Sequence, residues 1–139
     1  MLALDFDQPT FELDAVRADY DLEVGVVATL SIRVAQQVIY QEVMFPVVEL
    51  RIAVDRWARG GPNGSDFEFV SMESDEPGLV WFRRQPSSHW RVGSIHQDVP
   101  ALEEFEWGQV AAAIEQYIAN VDRWVATNLD VRVTDVVEL

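Results

Sequence analysis

The chain has 139 residues, and its 24 acidic side chains against 10 basic ones, all of them arginine, give a formal net charge of −14 at pH 7. This balance argues against a nucleic-acid-binding protein, because neutralising phosphates requires a basic face. The absence of cysteine excludes disulfides, thiolate nucleophiles, zinc ribbons and iron–sulfur clusters. With 49% apolar residues, the chain is expected to fold as one domain over residues 1–139.

The first predicted elements are β-strands. Phe11 and Leu13 indicate a weak strand, and residues 20–34 carry apolar side chains at every even position. A strand of that length is expected to bend, and Gly25 is the predicted bulge or kink. Residues 38–43 follow a short polar turn, so they are predicted to form an antiparallel hairpin with the long strand.

A helix and a second group of strands are predicted next. Pro46 can occupy the first position of a helix, apolar residues then recur at helical spacing as far as Trp57, and residues 60–61 are two glycines that would end it. Three short strands then follow, separated by segments rich in turn-forming residues. These strands, over residues 67–72, 79–84 and 89–97, are expected to form a three-stranded meander.

The last predicted elements are a long helix and a tail. Apolar residues at steps of three and four predict the helix from about residue 105 to residue 128. The alternation in residues 131–139 is weaker and could supply one more edge strand. The predicted fold class is therefore α+β, a largely antiparallel sheet in two meanders packed against two α-helices, in the order β-β-β-α-β-β-β-α with an optional final strand.

The sequence predicts neither a membrane segment nor a secreted protein. Residues 1–7 lack the basic start of a signal peptide, and no apolar run approaches the roughly 20 residues that a membrane-spanning helix needs. We therefore expect a soluble cytoplasmic protein with no membrane contact. Ten arginines and no lysine are typical of a GC-rich bacterial genome.

Acidic residues concentrate in three segments, over residues 5–23, 73–76 and 103–106. One interpretation is a solvated surface, with the last segment also placed against the positive N-terminal end of the second helix. The other is a fixed anionic surface that attracts a basic protein partner and speeds its association. On the second interpretation, the acidic candidates for partner binding are Glu73, Asp75, Glu76, Glu103, Glu104 and Glu106.

Tryptophan recurs beside arginine in this chain, and one such group is a candidate contact patch. The ordinary explanation is a buried ring with the cation outside, and the alternative is an interface rich in aromatic and arginine side chains. The best candidates for the second explanation are Trp81, Arg83 and Arg84.

No group of residues predicts catalysis, a metal site or a cofactor. Asp19, Asp21 and Glu23 would share one face of the long strand, but calcium needs about six to eight oxygen ligands and a loop that wraps it. A water-facing stripe is therefore expected there. Residues 87–89 are Ser-Ser-His, yet adjacency in sequence does not build a catalytic triad. The sequence leaves enzymatic activity open and favours a protein that is not an enzyme.

Three segments of the chain resemble a known group of sequences. They are residues 45–50 (FPVVEL), 66–72 (DFEFVSM) and 90–95 (WRVGSI). Together they resemble an uncharacterised family of small acidic bacterial proteins, chiefly from actinobacteria, whose general character is similar to immunity proteins of toxin systems. The resemblance spans about residues 19–128 and implies no activity for any particular residue.

Three functional hypotheses follow from the sequence. The first is an immunity-like inhibitor that binds a basic toxin or nuclease through its acidic surface. The second is a small-molecule-binding protein or enzyme with a cavity between sheet and helices. The third is a self-associating structural domain, a homodimer paired through residues 131–139. The candidates for ligand binding under the second hypothesis are Tyr40, Glu68, Trp81, His96 and Tyr117.

Overall fold

The structure is a computed structural model that describes residues 1–136, without the side chain of Asp19. Its strands are β1 (Leu2–Phe11), β2 (Val26–Val34), β3 (Gln37–Pro46), β4 (Phe67–Glu68), β5 (Trp81–Arg84) and β6 (Trp90–Gly93). Its helices are α1 (Asp19–Gly25), α2 (Val47–Ala58), α3 (Trp107–Leu129) and α4 (Val133–Val136), with a short 3₁₀ turn at Gly61–Asn63. The predicted α+β class is confirmed.

The first sheet is antiparallel, with strand order β1-β2-β3. The predicted hairpin is confirmed as β2 and β3, whose last and first residues, Val34 and Gln37, face each other across a two-residue turn. The weak strand predicted at Phe11 and Leu13 was misplaced. Strand β1 begins at Leu2 and ends at Phe11, since alternation in Leu2–Phe11 buries Leu2 and Leu4 on one face.

The prediction of one strand over residues 20–34 was wrong in its first part, because residues 19–25 form helix α1. A carboxylate oxygen of Asp21 accepts hydrogen bonds from the backbone N–H groups of Arg17 (2.7 Å) and Ala18 (2.8 Å), which stabilises the start of a helix. The predicted acidic stripe therefore does not form. Gly25 is therefore not a bulge or kink within a strand but the last residue of α1. A Cβ at this position would lie 2.6 Å from the Phe11 ring.

Helix α2 and the second sheet follow the sequence pattern. Helix α2 begins at Val47, directly after Pro46, which ends β3 instead of occupying the first helical position. It stops at Ala58, just before the glycines at residues 60–61. Beyond them, β4, β5 and β6 form the predicted antiparallel meander, although each strand is shorter than expected.

The C-terminal region contains α3, as predicted, and a short helix where a strand was predicted. Helix α3 buries Val110, Ile114, Tyr117, Val121 and Val125. The prediction of an optional edge strand over residues 131–139 was wrong for the residues that the structure describes. Residues 133–136 form the short helix α4, and the side chain of Val133 is buried in the core. The remainder of that predicted strand, residues 137–139, lies outside the described residues.

Both sheets and the long helices contribute to one cluster of buried apolar side chains. Helix α3 packs against β1 and α2, and α2 also packs against β2. Two polar contacts join α2 to α3: the Tyr117 hydroxyl donates to the carbonyl of Val47 (2.6 Å), and the Arg51 guanidinium donates two hydrogen bonds to the Asp122 carboxylate (both 2.8 Å). These contacts fix the helix pair behind the first sheet.

Candidate functional site: an acidic pocket beside a bulged strand

A cavity of about 290 Å³ opens where the end of β3 meets the loop between β4 and β5. We call it the acidic pocket, because three carboxylates and no arginine line it. Its lining residues are Glu42, Val43, Met44, Phe45, Pro46, Ser71, Glu73, Ser74, Glu76, Leu79 and His96.

A β-bulge in β3 forms one wall of the acidic pocket. Ala28 pairs with Phe45 and Leu30 pairs with Glu42, so Val43 and Met44 together face a single residue of β2. We call these two residues the apolar bulge. Their side chains are 65% and 63% exposed, and Met44 has the left-handed backbone angle φ of 54°. Such a conformation costs a non-glycine residue about 1–3 kcal/mol, and this strain is typical of functional sites.

The opposite wall is held in place by a buried carboxylate. Glu49, in the first turn of α2, accepts hydrogen bonds from the Ser71 hydroxyl (2.7 Å) and the Met72 backbone N–H (2.8 Å). The Ser71 oxygen in turn accepts from the backbone N–H of Glu73 (3.1 Å). A helix N-terminus stabilises a negative charge, so this position suits Glu49. The loop that carries Glu73 and Glu76 is therefore tied to α2.

A histidine and a tyrosine complete the polar surroundings of the acidic pocket. His96 Nε2 lies 2.9 Å from an oxygen of Glu76, and both side chains are about half exposed. The hydroxyl of Tyr40 lies 3.4 Å from a carboxylate oxygen of Glu42. Burial, together with the charge of Glu42, raises the pKa of Tyr40 to about 12. Tyr40 thus stays protonated at neutral pH and can donate a hydrogen bond to Glu42.

The structure brings together residues from two separate sequence predictions. Glu73 and Glu76 come from the predicted partner-binding set, and Tyr40 and His96 come from the predicted ligand-binding set. Asp75 is exposed in the same loop, between two residues that line the pocket. Whether these residues bind a partner or a ligand stays a prediction.

Three of the other predicted residues lie together on the second sheet, away from the pocket lining. Trp81 is buried against Gly93, where an added Cβ would lie 2.5 Å from its ring. The guanidinium of Arg83 stacks 4.1 Å from the Trp81 ring centroid and approaches Glu68 at 3.9 Å. The ordinary explanation of the tryptophan and arginine pair, a covered ring with the cation outside, describes this geometry.

Arg84 and Tyr117 also lie apart from the pocket lining. Arg84 is exposed at the end of β5, and its backbone N–H donates to Asp66 (2.9 Å). Tyr117 is fully buried in the core, and burial raises its pKa well above the ordinary value. Of the five residues predicted to bind a ligand, Tyr40 and His96 alone adjoin this pocket.

The predicted acids of residues 103–106 lie at the other end of β6. Phe105 pairs with Trp90, the first residue of β6, whereas His96 follows the end of that strand. Glu104 accepts a hydrogen bond from Ser87 (2.5 Å) and approaches Arg91 at 3.8 Å. Glu106 precedes α3, and its backbone N–H donates to Gln109 (2.9 Å). The predicted acidic partner-binding residues therefore form two separate groups.

Sequence reasoning missed Glu42 and the apolar bulge. A signal for the bulge was available: residues 43–45 are three successive apolar side chains, Val-Met-Phe, which break the alternation of a half-buried strand. The neighbourhood of Glu42 and Glu76 could not be inferred, because Glu42 belongs to β3 of the first sheet and Glu76 to a loop of the second.

The part of the chain that the structure describes, residues 1–136, lacks two further kinds of feature. No three histidine, cysteine or carboxylate side chains in this part of the chain are grouped so that they could hold a metal ion. The same residues contain no helix with the length and apolar character needed to cross a membrane.

Comparisons with known proteins place the chain in a family. Neither the curated proteins nor the solved structures yielded a match to this sequence. One family model, described as a domain of unknown function (DUF7878), matches residues 2–127. This match covers most of the chain and agrees with the expectation of an uncharacterised family. The chain therefore belongs to the DUF7878 family.

Proposed function

We propose that the protein is a non-enzymatic, immunity-like inhibitor that binds a basic toxin or nuclease through the acidic pocket and the apolar bulge. The observation that carries the proposal is a cavity lined by Glu42, Glu73 and Glu76 with no arginine, directly beside two exposed apolar side chains. Exposed apolar side chains next to unneutralised charge are features of a surface that a partner covers.

The negative net charge of the chain indicates that the partner is positively charged. At least six of the ten arginines form ion pairs with carboxylates. Among the described residues, Glu42 and Glu73 form no ion pair, and Glu76 is paired with His96. A second copy of a chain with charge −14 would bring like charges together at this surface. A cationic partner is attracted both at long range and at the pocket itself.

The apolar bulge supports binding to a protein in preference to a free metal ion or a small cation. Val43 and Met44 add adaptable apolar contact area, and methionine fits many partner shapes. Phe45, Pro46 and Leu79 line the same cavity, so the methylene groups of a lysine or arginine could contact them while its charge meets the carboxylates.

We also propose a cytoplasmic location and an actinobacterial origin. The support is compositional: the chain has no cysteine and no lysine, and its cations are ten arginines.

The experiment is capture of partners from the source organism with the purified protein, followed by measurement of binding at increasing salt. We expect a basic protein whose affinity falls as salt rises from about 50 to 300 mM, because screening weakens attraction between surface charges. Recovery of neutral or acidic partners alone, with affinities that salt does not change, would contradict the proposal.

A further inference from the structure

A second surface, distinct from the acidic pocket, is a groove along the free edge of β1. Two cavities of about 510 and 390 Å³ lie between this strand and α3, and both are lined by Asp5, so they continue one another. We call them the β1–α3 groove. Its lining residues are Met1, Leu2, Ala3, Leu4, Asp5, Phe6, Gln109, Ala112, Ala113, Gln116, Asn120, Arg123, Trp124, Thr127 and Asn128.

The hydrogen-bond pattern of β1 leaves part of its backbone facing the groove. The carbonyl of Met1 accepts from the N–H of Ala35 (2.7 Å), so the odd-numbered residues of β1 bond to β2 as far as Asp7. The backbone N–H and C=O groups of Leu2, Leu4 and Phe6 then point the other way. Among the described residues no strand pairs with that side of β1.

The free edge has a defined length. Its regular pairing with β2 continues from Leu2 to Asp7 and is interrupted before Thr10. In between, Gln8 has a left-handed φ of 52°, and Pro9 has no N–H to donate. An added strand can therefore run regularly beside residues 2–7, with hydrogen bonds to Leu2, Leu4 and Phe6, and no further.

The position of α3 decides what kind of strand can be added. Helix α3 packs on β1, with Tyr117 edge-on to the ring of Phe6 at 6.1 Å. Pairing β1 with the β1 of a second copy would bring a second α3 to the same side of the joined sheet, where two packed helices need about 8–10 Å between their axes although paired strands lie only about 4.8 Å apart. A single extended segment brings no second helix, so it fits beside α3 more readily than a second copy does.

The charges of the groove indicate the chemistry of that segment. Asp5 and Arg123 are its charged side chains, and Asp5 is already paired with Arg33 at 3.0 Å. Arg123 donates a hydrogen bond to Asn120 (3.4 Å) but has no carboxylate partner within residues 1–136. The remaining polar lining consists of neutral amides and a hydroxyl. Among its side chains the groove therefore offers a carboxylate one cation, in a chain that is otherwise strongly acidic.

We propose that the β1–α3 groove binds an extended peptide segment as an added antiparallel strand, with one carboxylate of the segment at Arg123. This mode obtains its affinity from main-chain hydrogen bonds to Leu2, Leu4 and Phe6, and alternate side chains of the peptide lie against α3. The proposal is independent of the inhibitor function, which uses a different surface.

The test uses two synthetic eight-residue peptides of alternating valine and threonine, capped at both ends. One carries an aspartate near its first residue, and the other carries asparagine there. Amide hydrogen exchange measured by NMR at millimolar peptide should slow at Leu2, Leu4 and Phe6 by tenfold or more, and should change little at Ala3 and Asp5, which already bond to β2. The aspartate peptide should bind at least threefold more tightly than the asparagine peptide.

Variants of α3 separate groove binding from general effects. Ala112→Met fills the groove and should weaken binding at least tenfold, whereas Ala119→Met, an exposed position on the same helix outside the groove, should not. Arg123→Gln should abolish the preference for aspartate, and Arg17→Gln should keep it. Unchanged exchange at all three amides up to several millimolar peptide, or equal exchange changes at odd and even residues, would overturn the proposal.

Discussion

At the scale of single residues, the acidic pocket depends on side chains in unusual situations. Met44 keeps a left-handed backbone although it is not glycine, and Glu49 is a buried carboxylate whose oxygens are both used by the loop at residues 71–72. Tyr40 is held protonated beside Glu42. Together these residues fix the shape of the pocket wall.

The strain at Met44 predicts an unusual response to glycine. Replacing Met44 with glycine should relieve about 1–2 kcal/mol of left-handed strain and lose about 0.5–1 kcal/mol through the freer unfolded chain. We expect Met44→Gly to leave the free energy of unfolding unchanged or slightly raised in urea denaturation. Val43→Gly is the matched control, because Val43 is as exposed and lacks the left-handed angle; it should lose about 1 kcal/mol. Equal losses in both variants would refute strain at Met44.

The raised pKa of Tyr40 predicts a pH dependence of stability. Unfolded tyrosine loses its proton near pH 10, whereas folded Tyr40 keeps it up to about 12. Between these values the folded protein binds more protons, so the free energy of unfolding should fall as pH rises. Tyr117 contributes in the same direction. Urea denaturation at several values between pH 9 and 12 should therefore give a shallower fall for Tyr40→Phe than for the original protein, and identical slopes would contradict this assignment.

At the scale of elements, local capping hydrogen bonds and burial in the core overrode the alternation of the sequence at two places. Residues 20–24 alternate like a strand, but the hydrogen bonds of Asp21 and the burial of Leu22 favour helix α1. In the tail, Val133 packs on the core and residues 133–136 become α4. Helices α2 and α3 were predicted closely, because their apolar spacing extends over several turns and glycines or polar residues mark their ends.

The contact between α2 and α3 gives a stability prediction. Arg51 is 4% exposed and donates both bonds of a bidentate pair to Asp122, with Asp55 as a second partner at 2.9 Å. Asp122→Asn leaves a buried cation with less compensation and should cost about 2–3 kcal/mol of unfolding free energy. Asp14→Asn breaks the exposed pair with Arg17 and should change it by less than about 0.5 kcal/mol. Chemical denaturation of both variants checks this, and similar losses would show that the buried pair has no special role.

At the scale of the whole molecule, the sequence predicted the fold class and both meanders but not how the two sheets meet. That junction brings Tyr40 and Glu42 of the first sheet to Glu76, in the loop between β4 and β5, and to His96, which follows β6. No local pattern encodes this proximity, since hydrophobic alternation says which face of a strand is buried and not which other strand lies near it. The acids of residues 103–106 were grouped with Glu73 and Glu76 by composition, and the fold separates them along β6.

The central claim is that the acidic pocket, and not the total charge, binds the basic partner. The direct measurement is calorimetric titration of the captured partner against two triple variants of equal net charge. Glu42→Gln with Glu73→Gln and Glu76→Gln neutralises the pocket, and Glu103→Gln with Glu115→Gln and Asp130→Asn neutralises three acids elsewhere. We expect the first variant to weaken binding at least a hundredfold, about 2.7 kcal/mol, and the second to weaken it less than fivefold. Equal weakening by both variants would contradict the account.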